Sequence, residues 1–126
     1  MFKYEATYKD FDGKEQKDTL YFNLNNAELI ELQAKYPGGL RNMLERIIES
    51  KDQMQIIPIV KELVLMAYGV RSPESKYFMK TEEEKKKFEC CPAYSDLFTK
   101  ICTDEQFALE FINKIVPEDE GLSENA

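Results

Sequence analysis

The residues best suited to chemistry lie in "LVLMAYGVRSPESKYFMK", residues 63–80, where Gly69 is followed by Arg71, Ser72, Ser75, Lys76 and Lys80. A phosphate loop uses such residues. It sets its glycines after a strand and before a helix, so that unpaired N–H groups and the positive end of the helix dipole meet the anion. Here the helical pattern precedes Gly69, and the dipole end it presents is the negative one. The spacing therefore predicts a helix stop: Gly69 in the left-handed position, Val70 folded back on Leu65, and Arg71 as a cation suited to that end. Beyond it the chain reads as a connector, with Tyr77, Phe78 and Met79 extended against the core.

Other reactive groups are few. The chain has no histidine, which removes the commonest general base, the commonest metal ligand and the usual Ser or Cys triads. Cys90 and Cys91 form a thiol pair with no base beside them, and free cysteines of this kind are more often small apolar filler. With Cys102 they make an odd number at no disulfide or zinc spacing, which suits a reducing compartment. "DFDGKE" has two acids before its glycine and fits a turn better than a calcium loop. "TEEEKKKFE" has a local explanation as a solvated helix: a Thr81–Glu84 capping box, acids in the first turn, and Glu82–Lys86 and Glu83–Lys87 pairs. No catalytic residue, metal ligand set or cofactor site is expected.

The elements that would position any site follow from periodicity. Phe2, Tyr4, Ala6 and Tyr8 alternate with Lys3, Glu5, Thr7 and Lys9, and Leu20, Phe22 and Leu24 alternate with Thr19, Tyr21 and Asn23. With Asp12-Gly13 between them, these predict an N-terminal β-hairpin. The period then becomes helical. Asn25 or Asn26 caps a short helix carrying Leu29, Ile30, Gln33 and Ala34, which "KYPGG" stops. Leu40, Met43, Leu44, Ile47 and Ile48 mark the next. Asp52 suggests a further start, while Pro58 requires that helix either to kink or to begin near the proline. Its run Ile59, Val60, Leu63, Val64, Leu65, Met66 and Ala67 is apolar nearly all round, as in a central helix. Pro92 ends the charged helix and opens one bearing Tyr94, Leu97, Phe98, Ile101 and Cys102. Thr103 and Gln106 cap the last, with Phe107, Ala108, Phe111, Ile112 and Ile115 as its stripe.

The expected fold is α+β, a hairpin followed by five to six amphipathic helices in one domain over residues 1–117, with residues 118–126 as an acidic, mobile tail. The 126-residue length and 43% hydrophobic content suffice for a core. A net charge of −7 argues against nucleic acid or an anionic membrane as partner. Glu118, Asp119, Glu120 and Glu124 supply −4 of it. No window approaches the roughly 20 apolar residues of a membrane span, and the N-terminus lacks a signal-peptide pattern. A hairpin alone leaves two edges, so it must lie on the helices or add strands from another chain, including a second copy in a homo-oligomer.

Three segments, "TYKDFDGKEQKDTLYFNLNNAEL", "LVLMAYGVRSPESKYFMK" and "AYSDLFTKICTDEQFALEFINKIVP", taken in this order and spacing, resemble the tail assembly chaperones of long-tailed bacteriophages and prophages. The likeness spans most of residues 2–117. That family usually has Asp-Gly-Arg or Asp-Gly-Lys after the Tyr-Gly helix end. Here Glu74-Ser75-Lys76 stands there, without the turn glycine. The resemblance implies a non-enzymatic protein of the bacterial cytoplasm that associates with the tape measure protein, keeps its apolar helices from aggregating and helps tail tube subunits gather, often alongside a longer frameshifted form. The aromatics expected to meet such a partner are Tyr4, Tyr8, Tyr21 and Phe22 of the hairpin with Tyr77 and Phe78 of the connector. Two other readings compete: an acidic inhibitor of a host defence or nucleic-acid-binding protein, and a minor structural protein of the virion.

Overall fold

The computed structural model describes residues 1–36 and 38–116; the expected closure at Pro117 and the acidic tail lie outside them. Strands β1 (Phe2–Lys9) and β2 (Glu15–Phe22) form the hairpin, with Phe2 opposite Phe22 and Lys9 opposite Glu15. Pairing thus continues into the polar stretch ahead of Leu20. At the turn the Asp10 carboxylate accepts from the backbone N–H groups of Asp12 and Lys14, each at 2.9 Å, and from Gln16 Nε2 at 2.8 Å. Gly13 takes φ +81°, the left-handed geometry that Asp-Gly supplies at low cost.

Helix α1 (Asn26–Lys35) starts at Asn25 through a reciprocal capping box with Glu28. It buries Leu29 and Leu32, whereas Ile30 and Ala34 face solvent. The stripe predicted from Leu29, Ile30, Gln33 and Ala34 is therefore corrected, because a ten-residue helix at the rim of the molecule has only a narrow side on the core. Helix α2 (Leu40–Ser50) buries Leu40, Leu44 and Ile48 as its period requires.

Helix α3 (Gln53–Ala67) begins at Asp52, whose carboxylate accepts from Met54 N, and Pro58 lies inside it. The carbonyl that Pro58 leaves without its helical donor is that of Met54, and both residues are exposed, so solvent can serve it. The run from Ile59 to Ala67 packs as a central helix should: Val60, Leu63, Val64 and Ala67 are buried and Ile59, Leu65 and Met66 half-buried, while the first turns, ahead of that run, bury Ile56 but expose Ile57 and leave Met54 88% exposed. The largest side chains with almost no exposed surface come from β2, α1, α2, α3, α5 and α6 together, Phe22 and Phe111 first.

The end of α3 departs from the predicted glycine stop. Gly69 is extended and belongs to β3 (Tyr68–Arg71), where Tyr21 of β2 stands opposite Gly69 and Phe22 opposite Tyr68. The terminal carbonyls of α3 find other donors. Asn23 N donates to Ala67 O at 2.8 Å, and the Lys85 ammonium donates to Leu65 O and to Met66 O. With those carbonyls satisfied by the sheet and a lysine, the helix needs no left-handed cap. The connector returns as β4 (Phe78–Met79), pairing Val70 with Met79 and Arg71 with Phe78. The two-stranded hairpin thus grows into one four-stranded antiparallel arrangement in the order β1-β2-β3-β4.

Helix α4 (Glu82–Glu89) is capped by Thr81, which accepts from Glu84 N. Within the helix Lys87 pairs with Glu84 at 4.0 Å, in place of the expected Glu82–Lys86 and Glu83–Lys87 pairs, and Glu89 pairs outward with Lys61 of α3 at 3.7 Å. Pro92 opens α5 (Pro92–Thr103), and Asp104 caps α6 (Glu105–Ile115) by accepting from Phe107 N. That cap is one residue beyond the predicted Thr103, whose hydroxyl instead donates to Thr99 O within α5. The architecture is α+β, a sheet packed through one face on the helices.

Candidate interaction surface

Antiparallel register sorts five of the six predicted contact residues onto two sides of the sheet, and Tyr77 lies just ahead of β4. Phe2, Tyr4, Ala6 and Tyr8 share a face with Leu20, Phe22 and Tyr68, and that face meets the helices. Phe22 is 0% exposed and packs edge-on to Phe111 and Phe88 at centroid distances of 5.5 and 5.9 Å. It has no surface to give a partner, and its place in the predicted contact set is corrected to a core role. The signal was in the sequence: Phe22 lies between Leu20 and Leu24 on the apolar side of the alternation.

Tyr4 is half-buried against Phe107 at 5.6 Å, with Lys100 over its ring. Tyr8 donates its hydroxyl to Asp18, and this bond, with Cys91 and burial adding to it, pushes the phenol pKa well above its usual value. Both rings show only part of their surface. Cys91 is half-buried near Tyr8 as expected of a filler, but Cys90 is exposed, because the turn that precedes Pro92 points it away from the core.

Tyr21 and Phe78 lie on the opposite face. Tyr21 stands across from Gly69, Phe78 across from Arg71, and the Arg71 guanidinium rests over the Tyr21 ring at 5.0 Å. Phe78 covers Gly69, and Lys80 lies 5.6 Å from the centre of its ring. Tyr77, just before β4, is 61% exposed. Beside it Val70 and Met79, directly opposite each other, continue the helix-facing side beyond the helices and are exposed. The β3–β4 ribbon therefore carries large apolar groups on both sides: Val70 and Met79 on one, Phe78 on the other beside Tyr21 of β2, and Tyr77 at the turn. The expectations that Val70 folds back on Leu65 and that Tyr77 and Met79 lie against the core are corrected, because the short strands β3 and β4 carry them past the helices, where nothing covers them.

The charged residues of the connector serve structure. Arg71 donates to Ser75 Oγ at 2.8 Å, Ser72 Oγ accepts from Tyr77 N at 3.0 Å, and Lys80 bonds Glu28 at 2.6 Å and Asn23 O at 2.5 Å. None of this forms an anion cradle. Among the described residues no group of three or more His, Cys, Asp or Glu side chains is placed to hold a metal ion, and no helix is long and apolar enough to cross a membrane.

A family model described as phage tail assembly chaperone matches residues 1–125. The chain belongs to that family. No curated protein and no solved structure matches it. In this member of the family Ser75, where the resemblance implies a turn glycine, adopts φ +61°, the left-handed geometry that a glycine takes at low cost.

Proposed function

We propose that this chain acts on the tape measure protein in the host cytoplasm, without catalysis, covering apolar stretches of its helices until tail tube subunits replace the chaperone. The observation that carries this reading is the β3–β4 ribbon. It presents Val70, Tyr77 and Met79 to solvent beside Tyr21 and Phe78, and adaptable Met and aromatic surfaces suit helices of varied sequence. Tyr4 and Tyr8 contribute at the margin through their half-exposed rings.

Co-expression with the tape measure protein tests this. The expected result is a soluble complex with the full chain and loss of both complex and solubility with a Val70→Ser, Tyr77→Ser, Met79→Ser triple variant that keeps its fold. A tape measure protein whose solubility ignores the chaperone would sink the reading.

A further inference from the structure

Strand β1 stands at one end of the sheet order, so among the described residues one side of this eight-residue strand is an open edge. At the turn Asp10 N donates to Lys14 O, and from there the bonds to β2 fall on every second residue. Tyr8, Ala6, Tyr4 and Phe2 bond inward, while the N–H and C=O groups of Lys3, Glu5, Thr7 and Lys9 point out of the edge. An edge of this length is a template for pairing unless something covers it.

The Phe2 half of that edge is furnished for an acidic segment. Phe107 packs on the β1 rings Phe2 and Tyr4, whereas Phe111, further in, meets Phe22 of β2 as well. Tyr4 and Phe107 are half-buried and form an apolar step. The exposed Lys100 lies over both rings, at 5.6 and 4.4 Å, and the exposed Lys114 lies 6.0 Å from the centre of Phe2. With Phe107 near Tyr4 and Lys114 near Phe2, α6 delivers Val116 to the Phe2 end of the edge. Ten residues follow it, "PEDEGLSENA", with four acids, no cation and Leu122 as the single large apolar group. Fully extended they reach about 33 Å, against about 26 Å for an eight-residue strand. The two-residue period of an extended chain sets Glu118, Glu120, Leu122 and Glu124 on one side.

We propose that residues 118–124 of the chain's own tail add to the open edge of β1 as a further strand. It runs from Phe2 towards Lys9, parallel to β1, with Glu118 and Glu120 at Lys114, Leu122 on the Tyr4–Phe107 step and Glu124 at Lys100. A segment so poor in strand-forming residues pairs weakly, and the tether offsets this by holding it at high effective concentration. The tail is thus a strap that keeps the edge from recruiting a strand of another chain. The strap does not depend on the client reading, which uses the β3–β4 ribbon at the other end of the sheet.

Amide hydrogen exchange of the full chain, without client, tests the strap. The N–H groups of Lys3 and Glu5, which β2 does not bond, should be protected. In a Glu118→Lys, Glu120→Lys, Glu124→Lys variant they should exchange at least about tenfold faster, while Lys9, beyond the acids' reach, stays unchanged. These substitutions lie past Val116, the last buried residue of the described core, so the fold itself is spared. Leu122→Ser and Lys100→Glu should each release the edge, and Lys100→Glu combined with Glu124→Lys should restore protection. Equal exchange at Lys3 and Glu5 in the parent and the triple variant overturns the proposal. So does protection that grows with protein concentration, which gives the edge to a second chain. Protection that arises only when tape measure protein is added overturns it too, assigning the edge to the client and leaving the chaperone reading standing.

Discussion

The Phe78 ring lies so close over Gly69 that a Cβ built on the glycine would meet Phe78 Cε2 at 2.6 Å. Gly69 is thus required for space and not for a left-handed backbone. A Gly69→Ala substitution should push the ring off the sheet and cost roughly 1–2 kcal/mol, the usual range for overpacking. In a Phe78→Ala background the same change should cost much less. Urea denaturation of the four members of this cycle measures the coupling; additive effects would show that the ring is not the reason for the glycine.

Lys85 tethers α4 to the end of α3 through the carbonyls of Leu65 and Met66. Replacing it with Met keeps the stem but leaves those acceptors short of a donor, at a cost of about 1–2 kcal/mol. Burial is the main cause holding the Lys85 pKa below its ordinary 10.5. The unfolded chain therefore binds this proton more tightly than the folded one, and the lysine's contribution to stability rises with pH from the lowered folded value up to 10.5. Comparing denaturation midpoints of parent and Lys85→Met across that alkaline window should show the rise only in the parent.

The Asp10 carboxylate is held below its ordinary pKa of 3.8, first by Gln16 and then by the Lys14 and Asp12 amides. A depressed folded value means that its contribution is present above pH 3.8 and is lost as pH falls through the folded value. Amide exchange at Asp12 and Lys14 should accelerate on that descent. In Asp10→Asn these amides should show no such acid transition; a persistent one would place the titrating group elsewhere.

Ser75 holds a left-handed backbone that costs a non-glycine residue roughly 1 kcal/mol. Its hydroxyl recovers part of that through Arg71 on an exposed surface. Ser75→Gly should accordingly raise stability by about 0.5 kcal/mol, read as a small upward shift in melting temperature. A fall would show that the Arg71 bond outweighs the backbone strain.

Phe22 and Tyr77, paired in the sequence as contact residues, should separate cleanly. Phe22→Ala removes the aromatic between Phe2, Tyr68, Phe88 and Phe111 and should cost about 3–5 kcal/mol. Tyr77→Ser should leave the melting temperature within error and reduce client capture in a pull-down. If both changes destabilise alike, Tyr77 belongs to the core and the ribbon is not a docking surface.

Local order was legible in the sequence because its causes are local. Asn25, Asp52 and Thr81 cap helices within three residues of themselves, Asp12-Gly13 sets the hairpin turn, and alternation from Phe2 to Tyr8 names the buried face of β1. The family likeness rested on the same segments. Partners distant along the chain decided the rest. Gly69 could be a helix cap or a strand residue on propensity alone, and Tyr21 and Phe22, with Asn23 bonding to Ala67 O, turned it into strand. The exposure of Met54, Val70 and Met79 depended likewise on where the helices and the sheet run out. Periodicity reports which residues share a side of an element; only the tertiary arrangement supplies, or withholds, something to cover it.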